Sequence, residues 1–291
     1  MDFPATEPSP RLPQHDSNET MIPGLFIPTH AHTGLLKYDG YPSFVASLQR
    51  NLYTGCEVLE FSGSDSNRPL KSAKFSYNFL TKLLIIKMPG LAHETLTGLF
   101  KAMIDKQLVT MGVFDELVPR ASPMAVMGNW AKEPNACWAP ESTDDLSVVL
   151  EVGASESAPQ LAIDARGWLE TPGTTVKICI TIDLGPENNL TIDMWRLGRR
   201  VYTVSSRNLP SPAIRMQHVK ILHGETGPEI HGWKIDQSTG AIPTHEIRLD
   251  FTTFVGRPAV TDFEQDIVID RNRLIKFANK FWCHQARHLQ D

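Results

Sequence analysis

Glu151 is the residue whose type and setting most invite chemistry. It stands near the end of Leu146-Ser-Val-Val-Leu-Glu-Val, a stretch otherwise apolar enough for a buried strand. A carboxylate at the end of a buried strand needs a partner or a metal ion, whereas at a sheet edge it would simply meet water. Metal-assisted cleavage of a phosphodiester uses such groups. Converging acidic side chains hold Mg²⁺, the ion polarises the phosphate and lowers the pKa of bound water, and a lysine often orients the attack. Two further residues could join Glu151. Asn135, in Lys132-Glu-Pro-Asn-Ala-Cys-Trp-Ala-Pro, comes sixteen residues earlier, and two strands joined by a loop over 141–145 would bring it close. Glu94 falls in the first turn of an expected helix, where a carboxylate also simply complements the helix N-terminus.

The elements that must position these groups follow from hydrophobic periodicity. Strands are expected at 57–61, twice within 73–88, near 124–127 and 136–138, and over 146–152. The best helix spans 92–111, where Leu96, Leu99, Phe100, Met103, Ile104, Leu108 and Met111 share a face and Gly112 supplies a stop. A second helix runs from about Pro159 to Leu169, with Pro159 suited to a first turn. Its residues Gln160, Asp164 and Trp168 recur every four positions and therefore share one face. Residues 174–183 alternate cleanly and pair with 190–195 across the turn Gly185-Pro-Glu-Asn-Asn. Further strands are expected at 213–222 and 246–254, a final helix over 272–285, and a short helix at 44–50. Residues 1–22, with Pro4, Pro8, Pro10 and Pro13, read as a disordered tail. No repeat or linker divides the rest, so 23–291 is expected to be one domain.

The 291 residues carry 28 Lys+Arg against 33 Asp+Glu, a formal charge of −5, with 41% hydrophobic and 21% charged residues. These values exclude a wholly disordered or collagen-like chain. They argue against a strongly basic nucleic-acid coat but leave room for a local basic groove. Cys56, Cys137, Cys179 and Cys283 are far apart and form no CxxC pair, so a disulfide framework or zinc site is not expected. His30-Ala-His32 lacks an obvious third ligand. No apolar run is long enough for a membrane span, and the Pro-rich start has no signal core, so the expectation is an intracellular protein, cytoplasmic or nuclear. There is no Gly-x-Ser-x-Gly elbow, His-Glu-x-x-His motif, P-loop or dinucleotide fingerprint.

Three stretches resemble a known family. Met88-Pro-Gly-Leu-Ala-His-Glu opens the long helix, Glu133-Pro-Asn-Ala-Cys-Trp-Ala-Pro forms a strand, and Val149-Leu-Glu-Val-Gly-Ala-Ser-Glu-Ser leads through Leu161-Ala-Ile-Asp-Ala-Arg-Gly-Trp-Leu to Val176-Lys-Ile. Over about 82–183 they are similar to the Uma-type branch of the PD-(D/E)XK, restriction-endonuclease-like superfamily, as found in fungal proteins. Ile247-Arg-Leu-Asp-Phe and Glu264-Gln-Asp-Ile match the closing segment of those proteins. The resemblance implies an α+β fold with a mixed central β-sheet flanked by helices. Its core would span about 82–195, with extra C-terminal strands and a final helix over 196–291. It also implies a divalent-metal nuclease site, with Mg²⁺ as cofactor and DNA or RNA as partner. Glu151 matches the second acidic position of the motif, and Glu94 the helix carboxylate. Asn135 falls where the first aspartate should stand, which removes a charge from a hard-metal site. Gly153 replaces the motif lysine, and the position on the following helix to which that lysine can migrate is Asp164. Lys177 on the next strand is the substitute cation, unless it is a solvated residue on that strand's outer face.

Two functions are therefore carried forward. One is a Mg²⁺-dependent nuclease with Glu151 and Asn135 as metal ligands, Glu94 in support and Lys177 beside the attacked phosphate. The other is a catalytically inactive nuclease-fold module that binds nucleic acid or protein, with Arg196, Arg199 and Arg200 beside Trp195 and Tyr202 as a candidate contact strip.

Overall fold

The computed structural model describes strands at Leu35–Lys37 and Cys56–Glu60 and residues 73–288, apart from 81–82, 88, 144, 155–157, 199–210, 226 and 237. The expected tail over 1–22, the helix at 44–50, the His30/His32 pair, Arg199, Arg200 and Tyr202 lie outside the described residues.

The fold is α+β and is built on two sheets. The first contains β1 (Leu35–Lys37), β2 (Cys56–Glu60), β3 (Lys74–Asn78), β4 (Leu83–Lys87), β5 (Ala125–Met127) and β6 (Trp130–Lys132), in the order β1-β2-β4-β3-β6-β5. The second contains β7 (Ala136–Trp138), β8 (Val148–Gly153), β9 (Ile178–Leu184), β10 (Leu190–Leu197), β11 (Ala213–Gly224), β12 (Gly227–Asp236) and β13 (Gly240–Pro243). It is mixed, since β8 and β9 run parallel while the other neighbours are antiparallel. Residues 133–135 carry the chain from β6 directly into β7 and so join the sheets at a seam.

Between β4 and β5 lies α1 (Leu91–Met111), which starts after Gly90 and stops at Gly112, whose φ of +75° suits glycine at a helix end. Leu96, Phe100, Ile104 and Leu108 are fully buried along one face, as their three- and four-residue spacing predicts. Burial of a side chain of this size is worth about 1.5–3 kcal/mol. They pack with Val148, Leu150 and Val152 of β8, Ile178, Ile180 and Ile182 of β9, and the C-terminal helix α4 (Arg271–His288). On the opposite face of β8 and β9 lies α2 (Ala158–Glu170), whose Ala165, Trp168 and Leu169 pack on Val149 and Cys179. With helices on both faces, all six residues of β8 are buried, which explains its near-continuous apolar run.

The sequence alternation extends strand β9 back to residue 174, but the strand begins at Ile178. Thr174 and Thr175 spend their hydroxyls on the Trp168 and Leu146 carbonyls instead. The strand expected over 246–254 is two elements. Strand β14 (Ile247–Leu249) pairs with β15 (Ile267–Ile269), and Asp250 then caps the short helix α3 (Phe251–Val255) by accepting the Thr253 N–H at 2.8 Å.

Successive register pairs align one lane of residues across the second sheet: Glu151, Thr181, Asp193, His218 and Trp233. Glu151 and Thr181 lie under α2. Asp193 Oδ1 meets His218 Nδ1 at 2.6 Å, and His218 stacks on Trp233.

Candidate functional site

Glu151 lies in the middle of the buried strand β8, on the α2 side, and is 2% exposed. Its Oε1 accepts the Trp168 Nε1–H at 2.5 Å. The four-residue spacing on α2 delivers Gln160, Asp164 and Trp168 together on the buried face. Asp164 is the hub. Lys132 Nζ, at the end of β6, lies 2.6 Å from Asp164 Oδ1 and 3.5 Å from Glu151 Oε1. Lys87 Nζ, at the end of β4, lies 2.5 Å from Asp164 Oδ2. The Lys132 ammonium also stands 5.1 Å from the Trp168 ring centroid, within cation–π range. Two lysines from the first sheet thus meet two carboxylates from the second sheet and its helix.

Electrostatics favour this charged arrangement. Burial works against an ionised Asp164, but Lys132 and Lys87 outweigh it and hold the carboxyl down at about 2. Burial likewise opposes the Lys132 charge, and Asp164 and then Glu151 overcome it and raise its pKa. The thiols behind the site are inert. Burial pushes Cys137 up to about 11 and Cys179 well above its ordinary value, so neither supplies a thiolate.

Asn135 is brought beside Glu151 by the β7–β8 pairing, since Ala136 faces Leu150. Its backbone N–H donates to the Leu150 carbonyl at 3.0 Å, and its side-chain Oδ1 accepts the Val152 N–H at 2.6 Å. The amide continues the strand ladder where the backbone pairing ends. His93, in the first turn of α1, is 8% exposed, and its buried Nδ1 has no hydrogen-bond partner among the described residues. Burial and then the charge of Lys87 bring its imidazole down to about 4.

The other two sequence candidates stand apart. Glu94 is at the start of α1 with its side chain 56% exposed, and its Oε1 is 3.7 Å from His93 Nδ1. Lys177 is exposed and just precedes β9, its N–H donating to Ser147. Glu151 pairs with Thr181, four residues further along β9. At about 3.3 Å per residue, this puts Lys177 about 13 Å from the Glu151 level. Arg196 of the proposed basic strip turns to Thr253 Oγ1 at 3.4 Å and Asp250 at 3.9 Å.

Sequence reasoning missed Lys87 and Lys132 as the cations of the site, and treated Asp164 only as a departure from the motif. The signal available was the Gln160/Asp164/Trp168 spacing, which marks a polar group on a buried helix face. Such a group demands a partner.

The donor set does not suit a hard divalent ion. A Mg²⁺ site needs oxygens in near-octahedral array, but the space between the Glu151 and Asp164 carboxylates holds the Lys132 ammonium, and Asn135 Oδ1 is engaged by Val152. Among the described residues no group of three or more His, Cys, Asp and Glu is placed to hold a metal ion. Nor is any helix among them long and apolar enough to cross a membrane. No protein-family model matches the chain, and no curated protein matches it.

Proposed function

We propose that this chain is a restriction-endonuclease-like module in which an internal lysine has taken the place of the catalytic metal ion, and that it binds nucleic acid without cleaving it. The observation that carries this reading is the Lys132 ammonium, 2.6 Å from Asp164 and 3.5 Å from Glu151. A positive group between two buried carboxylates does the neutralising work that Mg²⁺ does in a metal nuclease, but it offers no open coordination position for water or phosphate. The amide at Asn135 and the absence of a lysine two residues after Glu151 support the same reading.

Calorimetry with MgCl₂ and MnCl₂, together with incubation on single- and double-stranded DNA, tests it. The expected result is no saturable ion binding and no cleavage, with salt-sensitive DNA binding by anisotropy. Saturable Mg²⁺ binding and Mg²⁺-dependent cleavage, both lost in Glu151→Gln, would overturn it in favour of an active nuclease.

A further inference from the structure

Helix α4 carries charge of one sign. Its 18 residues include five lysines and arginines and no aspartate or glutamate, in a chain whose formal charge is −5. One face is fixed by packing, since Leu274, Phe277, Ala278, Phe281 and Trp282 are buried. The cations form a row on the other. Arg273, Lys276, Lys280 and Arg287 follow one another at three, four and seven residues, and His284 fills the turn between the last two. Such spacings stack side chains along one helix face. All five residues are exposed. At 1.5 Å per residue the row is about 21 Å long.

This arrangement does not stabilise the helix itself. Lys276 and Lys280 stand four residues apart and repel, as do Arg273 and Lys276 three apart; opposite charges at those spacings would attract. Arg271 and Arg273 occupy the first turn, the end at which the helix dipole disfavours a cation. Arg273 is offset by Asp270 at 3.3 Å, and among the described residues Lys276, Lys280 and Arg287 have no carboxylate partner.

The composition of the face specifies what it meets. Asn272, Asn279 and Cys283 stand among the cations, and none of the exposed large hydrophobic side chains among the described residues belongs to this helix. A protein partner is held mainly by buried aromatic and aliphatic anchors, which the face lacks. A membrane surface is gripped by an apolar helix face, which here is turned into the core. Single strands are held partly by aromatic platforms for their bases, and Phe277, Phe281 and Trp282 are buried. A regular row of phosphates fits what remains. One strand of a duplex presents a phosphate about every 3.4 Å of axis, so the row spans about six of them.

We propose that the exposed face of α4 holds the phosphate backbone of a nucleic-acid duplex, with Arg273, Lys276, Lys280 and Arg287 each set against a phosphate. Contacts of this kind position the protein and read no sequence. The surface lies on the side of the second sheet opposite α2 and the Lys132 network. The proposal rests on the nucleic-acid-binding reading and gives it a surface and a duplex partner.

A short duplex DNA is titrated against the full chain by anisotropy at increasing NaCl. Four phosphate contacts predict a loss of about a hundredfold in affinity between about 50 and 200 mM salt. Lys276→Gln combined with Lys280→Gln should weaken binding at low salt about tenfold or more and halve the salt slope. Its thermal midpoint should stay the same or rise, because a repelling pair is gone. Cys283, exposed between Lys280 and Arg287, gives a second readout that needs no variant. Bound duplex should slow its alkylation severalfold, read on its own peptide by mass spectrometry. Duplex binding with an unchanged slope in the double variant and an unprotected Cys283 overturns the α4 surface and leaves nucleic-acid binding intact. Poly-glutamate captured through Lys276 and Lys280 by a protein that does not bind the duplex overturns the phosphate backbone as occupant in favour of an acidic protein. Absence of any nucleic-acid binding at low salt overturns both this proposal and the reading beneath it.

Discussion

Trp168 donates its indole N–H to Glu151 Oε1 at 2.5 Å, from helix α2 onto strand β8, every residue of which is buried. A carboxylate 2% exposed to solvent is costly to bury without such a donor. Trp168→Phe preserves most of the ring volume and removes the donor. It is expected to destabilise the protein by about 1–3 kcal/mol, the cost of leaving a buried polar group short of a partner. Urea denaturation should show a lower midpoint at unchanged slope. An unchanged midpoint would mean that the indole N–H contributes nothing to holding Glu151.

Lys132 and Glu151 should be energetically coupled. Lys132→Met leaves two carboxylates facing one lysine and is expected to cost about 3–5 kcal/mol. Adding Glu151→Gln removes the surplus charge while the Asp164–Lys87 pair survives, so the double variant should recover part of the loss. A double-mutant cycle should return a coupling of about 1 kcal/mol or more. Strict additivity would show that the 3.5 Å approach carries no energy.

Metal affinity should be recoverable only by vacating the central position. Asn135→Asp alone adds a carboxylate next to Glu151 in the β7–β8 pairing but leaves the Lys132 ammonium in place, so calorimetry should detect no Mg²⁺. Asn135→Asp combined with Lys132→Met brings three carboxylates together and should bind Mg²⁺ at millimolar or better concentrations. Binding by the single variant would contradict the view that Lys132 fills the site.

Three buried groups make stability depend on pH, and two of them act in opposite directions. The His93 imidazole sits at about 4 in the folded chain against 6.5 ordinarily. Unfolded chains therefore take up a proton between those values that the folded protein refuses. The stability that depends on neutral His93 is complete above pH 6.5 and falls as pH drops toward 4, by about 3 kcal/mol over the full window. Asp164, held at about 2 against 3.8, adds a second loss as pH falls from about 4 through 2. Asp183 acts in the opposite direction. Burial and then the Asp193 charge raise it to about 6, so its contribution is present at low pH and lost as pH rises through 6. Because the His93 and Asp183 contributions oppose each other between about pH 6 and 4, denaturant midpoints of the parent protein should change little there. They should rise as pH falls in His93→Leu and drop as pH falls in Asp183→Asn, which should also gain stability at pH 7.

Much of the site's frame was legible in the sequence because it depends on short-range spacing. The apolar run around Glu151, the strand after α2 and the four-residue recurrence of Gln160, Asp164 and Trp168 all identify the faces they occupy. The register that brings Asn135 beside Glu151 follows from a hairpin. Lys87 and Lys132 were not legible, because a lysine at a strand end reads as solvated and their partner Asp164 lies 77 and 32 residues away. Asp250 shows why 246–254 misleads. The residues after it, Phe251-Thr-Thr-Phe-Val, have strand propensity, yet Asp250 accepts the Thr253 N–H and starts a helix. Strand β12 escaped notice because Gly232 and the polar residues around it break the alternation. Gly232 is there of necessity, since a Cβ would fall 2.5 Å from the His218 carbonyl oxygen and 2.9 Å from that of Thr244.

The passage of the chain from β6 into β7 has a mechanical consequence. The two sheets share three connecting residues there, and the ammonium groups of Lys87 and Lys132 fasten one sheet to the helix and strand of the other. The network therefore acts as a clasp across that seam. Protonating Asp164 in acid removes the charge that both lysines share and leaves the Lys132–Glu151 approach as the ion pair across the seam.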